Sequence, residues 1–336
     1  MGKTFQALVV DNNDTFSVGI KNVSFEQLPA GGVLIKVAYS SVNYKDGLAS
    51  IPDGKIVRSY PFIPGIDLSG YVVSSADPRF HKGQRVLVTG YGLGVSHYGG
   101  FSEYARVPSD WVVPLPAGLT LKEAMIYGTA GFTAALSIMR LEDNGVSPER
   151  GKILITGATG GVGSAAVSML NKKGYEVVAS TGKLDAIEYL KSLGASEVIS
   201  REDVLENSGK PLNTQVWQAA VDSVGGHMLA AILSKSTYGG SVAVSGLTGG
   251  TEVPTTVLPF ILRRVNLLGI DSVYCSAERR VNLWKLMAQD LKPEQLEAMV
   301  DREVTLQELP EALSDILKSN TCGRILVRVS QEEARI

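Results

Sequence analysis

The chain has 336 residues, a formal charge of −2, 44% apolar and 20% charged residues, and 36 glycines. This length exceeds what one core usually fills and predicts two domains, and the near-neutral charge gives no overall pull toward nucleic acid or an anionic membrane. No apolar run approaches the roughly 20 residues of a bilayer span, and MGKTFQALVV has neither a signal-peptide pattern nor a myristoylation pattern, so a cytoplasmic protein without membrane partners is expected.

Residues 1–125 read as short strands and turns. GGVLIKVAYSSVN, GYVVSS, QRVLVTG and DWVVPLP are β-rich runs separated by Pro, Gly and Asp. A mainly antiparallel, barrel-like domain is predicted. VLVTGYGLGVSHYGG is read as a loop, because no amphipathic helix follows its glycines. TLKEAMIYGTAGFTAALSIMRL has helical periodicity broken near Gly128 and Gly131. Strands and helices then alternate. KILITG, EVVAST, SEVIS, QAAVDSV, SVAVSG and NLLGIDS are strand candidates, and VGSAAVSMLNKKG and LDAIEYLKSLG are helices. This predicts right-handed βαβ crossovers and an α/β domain built on a doubly wound parallel sheet. The helix LQELPEALSDILKSN and the strand RILVRV are expected to return to the first domain. The domains are therefore drawn as 1–125 with 295–336, and 126–294.

Cys275 and Cys322 are too few for a four-cysteine zinc site, and His81, His97 and His227 show no ligand spacing. No metal is expected. The sequons at Asn13 and Asn22 are read as chance matches.

Gly157, Gly160 and Gly163 follow a buried-type strand and precede an apolar-faced helix. Glycine permits the tight turn and the close approach of backbone N–H groups to a pyrophosphate, and the helix N-terminus adds favourable partial charge. About twenty residues on, an acid would hydrogen-bond an adenosine ribose. The sequence there offers Ser180, Thr181, Gly182 and Lys183, with Asp185 beyond the strand end and Arg201 past the next strand. Hydroxyls and cations suit a 2′-phosphate, so NADPH is expected over NADH.

The runs SSVNYKD, PGIDLSG, HYGGFSEYA, GTAGFTAA, GATGGVGS, SGLTGG and GRILVRV resemble the medium-chain dehydrogenase/reductase family over nearly the whole chain. NYKDGLA, FIPGIDLSG, YGLGVSHYGG and LLGIDSV are similar to its zinc-independent, quinone-oxidoreductase-like group, which includes acrylyl-CoA reductases. The resemblance implies a GroES-like catalytic domain, a Rossmann domain and a cleft for NADPH. Zinc-dependent relatives place a cysteine where this chain has Asn43, and a His–Glu pair where it has Ile66 and Asp67. The clustered cysteines of the family's structural zinc loop are absent. By the same resemblance, Thr159, Gly160, Gly161 and Val162 hold the pyrophosphate, and Thr181, Gly182, Lys183 and Arg201 the 2′-phosphate. Leu247, Ile261 and Ser272 flank the nicotinamide or ribose, with core packing the alternative for Ile261. Asn320 closes from the tail and Tyr44 faces the nicotinamide. Lys183 replaces the arginine of many group members, which keeps the charge and loses bidentate geometry.

Without a metal, an acceptor of hydride must be electrophilic in itself or polarised by hydrogen bonds. Activated alkenes and quinones qualify. Tyr44, Asn43 and Asp46 are the candidate polarising or proton-donating groups, with His97 from the glycine loop. Asp46 could instead orient neighbours, and His97 could be a structural hydrogen-bonder. The expected activity is NADPH-dependent reduction of an enoyl thioester of the acryloyl-CoA type. Quinone, enone or enal reduction is the alternative, and a non-catalytic NADPH-binding sensor is a reading of another class. Lys55, Arg58 and Arg79 could form a basic rim for a CoA tail. Family likeness implies a homodimer through the edge strand LLGIDSV.

Overall fold

In the computed structural model, which describes residues 3–330, packing divides the chain into two units. One comprises Met1–Thr129, Val273–Lys285 and Val300–Ile336, the other Ala130–Ser272 and Leu286–Met299.

In chain order the elements are β1 (Thr4–Asp11), β2 (Ser17–Ser24), β3 (Val33–Ser41), α1 (Tyr44–Ala49), β4 (Asp67–Ser75), β5 (Arg85–Thr89), β6 (Tyr104–Val107), β7 (Val113–Pro114) and α2 (Leu121–Asp143). Then come β8 (Ile153–Ile155), α3 (Gly161–Lys172), β9 (Val177–Thr181), α4 (Ile187–Ser192), β10 (Glu197–Ser200), α5 (Arg201–Leu205), β11 (Trp217–Asp222), α6 (Gly226–Lys235), β12 (Ser236–Val244), α7 (Leu258–Arg263) and β13 (Asn266–Gly269). The chain ends with α8 (Ala277–Met287), β14 (Val300–Thr305), α9 (Leu309–Leu317) and β15 (Arg324–Arg328).

The first unit is β-rich. Its main sheet runs β14-β15-β3-β4-β5-β7, with β6 also on β3, and all its pairs are antiparallel except β14–β15. Strand β3 alternates: Val33, Ile35 and Val37 are buried with Leu68, Val72, Val86 and Val88, while Lys36 is less buried. The tail does return, since β15 pairs with β3.

The second unit is a six-stranded, fully parallel sheet ordered β10-β9-β8-β11-β12-β13. Strand β8 has β9 on one side and β11 on the other, so the strand order reverses there. Open α/β sheets bind ligands at the carboxyl ends of the strands flanking such a point. Its three residues, Ile153, Leu154 and Ile155, are fully buried, as expected for a strand covered on both faces.

The division of the chain differs from the expected bounds in three places. Residues 126–129 and 273–285 pack with the first unit and residues 295–299 with the second. In the first case Gly128 breaks α2 and Thr129 N–H donates to Asp67 Oδ1 at 3.0 Å. In the second, buried Arg280 donates to Thr89 O at 2.9 Å and lies over the Tyr91 ring. LDAIEYLKSLG begins as a 3-10 turn, Leu184–Ala186, before α4. Helix α2, with an 18-residue stretch of mean hydropathy 1.2, is long and apolar enough to cross a membrane, which the sequence reading did not anticipate; 83% of that stretch is buried within the protein.

Candidate active site

The carboxyl end of β8 in the second unit makes the glycine turn. Gly157 has φ 57°, and a Cβ there would meet Ser223 Oγ at 2.6 Å. Gly160 is the N-cap of α3 and its N–H bonds Gly157 O at 2.9 Å. A Cβ on Gly163 would come within 2.6 Å of Ala158 Cα, so glycine lets the helix start tight against the turn. Thr159 is buried here, while Gly161 and Val162 form the partly exposed first turn of α3. A helix of this length opening on bare backbone N–H groups suits an anion.

At the neighbouring strand end, Asp222 of β11 is buried. It accepts from Gly225 N at 2.9 Å, from Val224 N at 3.2 Å and from Thr156 Oγ1. Burial pushes its pKa up, and these bonds oppose the shift. Asp222 thereby ties the 223–226 turn to the end of β8. Gly249 N–H donates to Val224 O at 2.7 Å and Ser245 N–H to Asp222 O at 3.0 Å, which folds SGLTGG over that turn and leaves Leu247 exposed.

The end of β9 corrects one expected contact. Ser180 is 1% exposed and its hydroxyl donates to Ser200 O at 3.3 Å, so it faces into the sheet and not toward a phosphate. Thr181 Oγ1 accepts Lys183 N–H at 3.0 Å, which shapes the turn. A Cβ on Gly182 would stand 2.8 Å from Arg201 Nε, so the guanidinium lies directly on the glycine. Gly182, Lys183 and Arg201 thus gather at one strand end. Ile261, on α7, is 67% exposed and is not core packing. Ser272 accepts from Thr133 Oγ1 at 2.9 Å.

In the first unit, Tyr44 is the first residue of α1 and 45% exposed. Asn43 is its N-cap and Asp46 its third residue, the arrangement of a capping box. Asp46 is fully buried; Oδ2 accepts Asn43 N–H at 2.8 Å and Oδ1 accepts Ile66 N–H at 3.0 Å. Burial first, and the charge of Asp67 second, raise its pKa to about 7. Asp46 therefore orients its neighbours, the second of its two expected roles. Asn43 Nδ2 donates to Asp67 Oδ2 at 2.7 Å, as does Ser41 Oγ at 2.7 Å. Arg324, from β15, brings its guanidinium to within 3.9 Å of the same oxygen. It donates to Ser41 Oγ at 2.8 Å, to Asn43 Oδ1 at 3.4 Å and to Ile126 O at 3.0 Å.

The remaining expectations scatter. His97 Nε2–H donates to Arg106 O at 2.7 Å and its ring packs edge-on against Trp111, so it anchors the glycine loop, the structural one of its two expected roles. Asn320 is exposed, with its N–H on Asp315 O at 3.1 Å. Lys55 and Arg58 are exposed, but Arg79 is held by Asp77 and Asp110, each at 2.6 Å, and its charge is offset. The sequence reading missed Ser41, Gly128, Thr129, Asp222 and Arg324. Two signals pointed to them: polar residues in otherwise apolar strands, and the glycine that interrupts α2.

The model of the alcohol dehydrogenase GroES-like domain matches residues 29–117, and that of the zinc-binding dehydrogenase matches residues 161–289. A crystal structure of Bacillus subtilis YhfP with NAD bound is 64% identical and superposes with a TM-score of 0.95, covering 98% of this chain and 100% of that one. The chain belongs to the medium-chain dehydrogenase/reductases. Within that family it falls in the quinone-oxidoreductase-like group. It is 48% identical to acrylyl-CoA reductase AcuI of Ruegeria pomeroyi over 97% of this chain and 99% of that protein. The YhdH oxidoreductase of Salmonella enterica in complex with NADP is 47% identical with a TM-score of 0.94, over 97% of this chain and 100% of that one.

This medium-chain dehydrogenase/reductase has the expected GroES-like and Rossmann domains, but its residues do not fit the family's catalytic zinc. The Ile66 side chain carries no donor atom, Asn43 and Asp67 bond each other, and the Arg324 guanidinium already puts a cation among them. The dinucleotide does fit: α3 opens at Gly160 on backbone N–H groups with no side-chain cap, which suits a pyrophosphate, and Lys183 and Arg201 stand at the end of β9.

Proposed function

We propose that this protein is an NADPH-dependent, zinc-independent reductase that acts in the cytoplasm on a carbon–carbon double bond conjugated to a carbonyl, with acryloyl-CoA-like thioesters as preferred acceptors. The observation that carries this reading is Arg324 lying among the residues at the metal position. An alkoxide formed from a simple alcohol would lack its Lewis acid there, whereas a conjugated acceptor spreads the developing charge so that a few hydrogen bonds suffice. The preference for a CoA ester is supported by likeness to AcuI.

The bound cofactor supplies the hydride. Thr159, Gly160, Gly161 and Val162 hold the pyrophosphate through the start of α3, and Lys183 and Arg201 take the 2′-phosphate, with Thr181 and Gly182 shaping their turn. Leu247, Ile261 and Ser272 border the nicotinamide end, and Asn320 closes from the tail. Tyr44, exposed at the head of α1, donates a hydrogen bond to the acceptor carbonyl, with Asn43 beneath it. Arg79 is left out of the basic rim, because Asp77 and Asp110 hold it.

A second copy of this chain is the expected protein partner. Strand β13 is a sheet edge, and Leu267 on it and Leu262 just before it are exposed. An unpaired apolar edge suits pairing with its own copy.

The test is stopped-flow and steady-state oxidation of NADPH with acryloyl-CoA, crotonyl-CoA, an enone, an enal and a benzoquinone, with product analysis. Saturation of the thioester double bond is the expected result. Turnover of quinones alone would move the assignment to quinone reduction, and no turnover with NADPH bound would leave a sensor.

A further inference from the structure

Tyr44 and Asn43 stand at the head of a helix only six residues long. So short a helix holds little by itself. What steadies them comes from β3, β4, the break in α2, and β15.

The Asn43 amide is held at both ends. Its Nδ2 donates to Asp67 Oδ2 at 2.7 Å, and its Oδ1 accepts from Arg324 Nη1 at 3.4 Å. Flipping the amide would set its oxygen against a carboxylate and its NH₂ against a guanidinium, so the orientation is determined by charge. The three residues are 9%, 0% and 3% exposed, and little solvent can substitute for a lost partner. Arg324 also donates to Val42 O at 3.2 Å, on the residue just before Asn43, and to Ser41 Oγ at 2.8 Å. Asp67 Oδ1 is held in turn by Thr129 N–H at 3.0 Å.

We propose that Arg324 and Asp67 are positioning residues for Asn43 and Tyr44. Their ion pair fixes the Asn43 amide and the entry to α1, as a metal with its ligands would fix the same chain segment. The inference rests on the reading of Tyr44 as the acceptor-facing group, with Asn43 beneath it. A clamp that merely joined β15 to α2 would need only the bond from Nε to Ile126 O; Nη1 and Nη2 also donate to Val42 O, Asn43 Oδ1 and Ser41 Oγ, on the segment that leads into α1.

The test uses the full chain with Arg324→Met, Arg324→Lys and Asp67→Asn. Positioning partners of this kind are typically worth about 10- to 100-fold. With acryloyl-CoA, Arg324→Met is expected to lower kcat by about that factor while the NADPH dissociation constant stays within about threefold, and Arg324→Lys to recover part of the loss. A folded Arg324→Met with unchanged kcat overturns the proposal, as does a loss carried wholly by NADPH affinity. If Arg324→Met fails to fold, Arg324→Lys and Asp67→Asn are judged by the same criteria.

A second readout does not depend on turnover, so that a wrong acceptor and a wrong positioning role remain distinguishable. In protein labelled with ¹⁵N-asparagine, the side-chain amide protons of Asn43 are expected to exchange slowly in the unmodified chain. They should exchange at least about tenfold faster in Arg324→Lys or Asp67→Asn, as expected when buried hydrogen bonds are lost. Equal exchange in all three overturns the proposal whatever the activity.

Discussion

A side chain on Gly128 would collide with Arg324. Its Cβ would stand 2.8 Å from Arg324 Nη2 and 2.5 Å from Asp67 Oδ2, at a backbone φ of 52°. The glycine that interrupts α2 is therefore a condition for the buried ion pair. Gly128→Ala is expected to destabilise the protein by about 2–4 kcal/mol, combining backbone strain with displacement of a buried charge. Urea unfolding measures it, and a loss below about 0.5 kcal/mol would show that the cluster has slack.

Arg201 on Gly182 and the nearby Lys183 should give NADPH at least a tenfold advantage over NADH, about 1.4 kcal/mol. Arg201→Ala and Lys183→Glu should each reduce that ratio, the second by repelling the 2′-phosphate. Titration of nucleotide fluorescence checks this, and equal dissociation constants for the two cofactors in the unmodified protein would refute it.

Ser180 gives the contrasting case. Its hydroxyl is committed to Ser200 O inside the sheet. Ser180→Ala should leave the NADPH-to-NADH ratio within about twofold, because no contact to the phosphate is lost. A large fall in the ratio would show that the hydroxyl turns outward when nucleotide binds.

Asp46 sets a pH dependence. Its folded pKa is raised to about 7, above the value of about 3.9 for a free aspartate. Between these values the folded state holds a proton that the unfolded state has released. Stability from this group is therefore fully present below about pH 4 and is lost as pH rises through about 7. Asp67 and Arg324 are the charged neighbours in the same cluster. Asp46→Asn should flatten the stability profile between about pH 4 and 7 relative to the unmodified protein, whatever its effect on the absolute level. Denaturant midpoints across that range decide it, and parallel profiles would contradict the assignment.

The exposed Leu267 on edge strand β13 predicts association. Leu267→Lys should shift the protein from dimer to monomer in sedimentation velocity while NADPH still binds, since a charge blunts an open edge. A monomer in the unmodified protein would remove that partner.

The sequence by itself determined the alternation of strands and helices, the glycine turn after β8 and the cationic strand end at Lys183. Each is a local matter: the apolar period reports which face is covered, and a glycine after a strand reports a turn that no Cβ allows. The family's catalytic and cofactor domains were legible for the same reason, as runs of contiguous residues. Only the tertiary structure decided that Ser180 faces inward, that His97 is an anchor, and that Arg324, near the end of the chain, closes on Asp67 and Asn43 near its beginning. Periodicity marks a position as buried and says nothing of which polar group meets it there. A buried charge is tolerable only beside its partner, and the partner is brought by strands adjacent in the sheet but far apart in the chain.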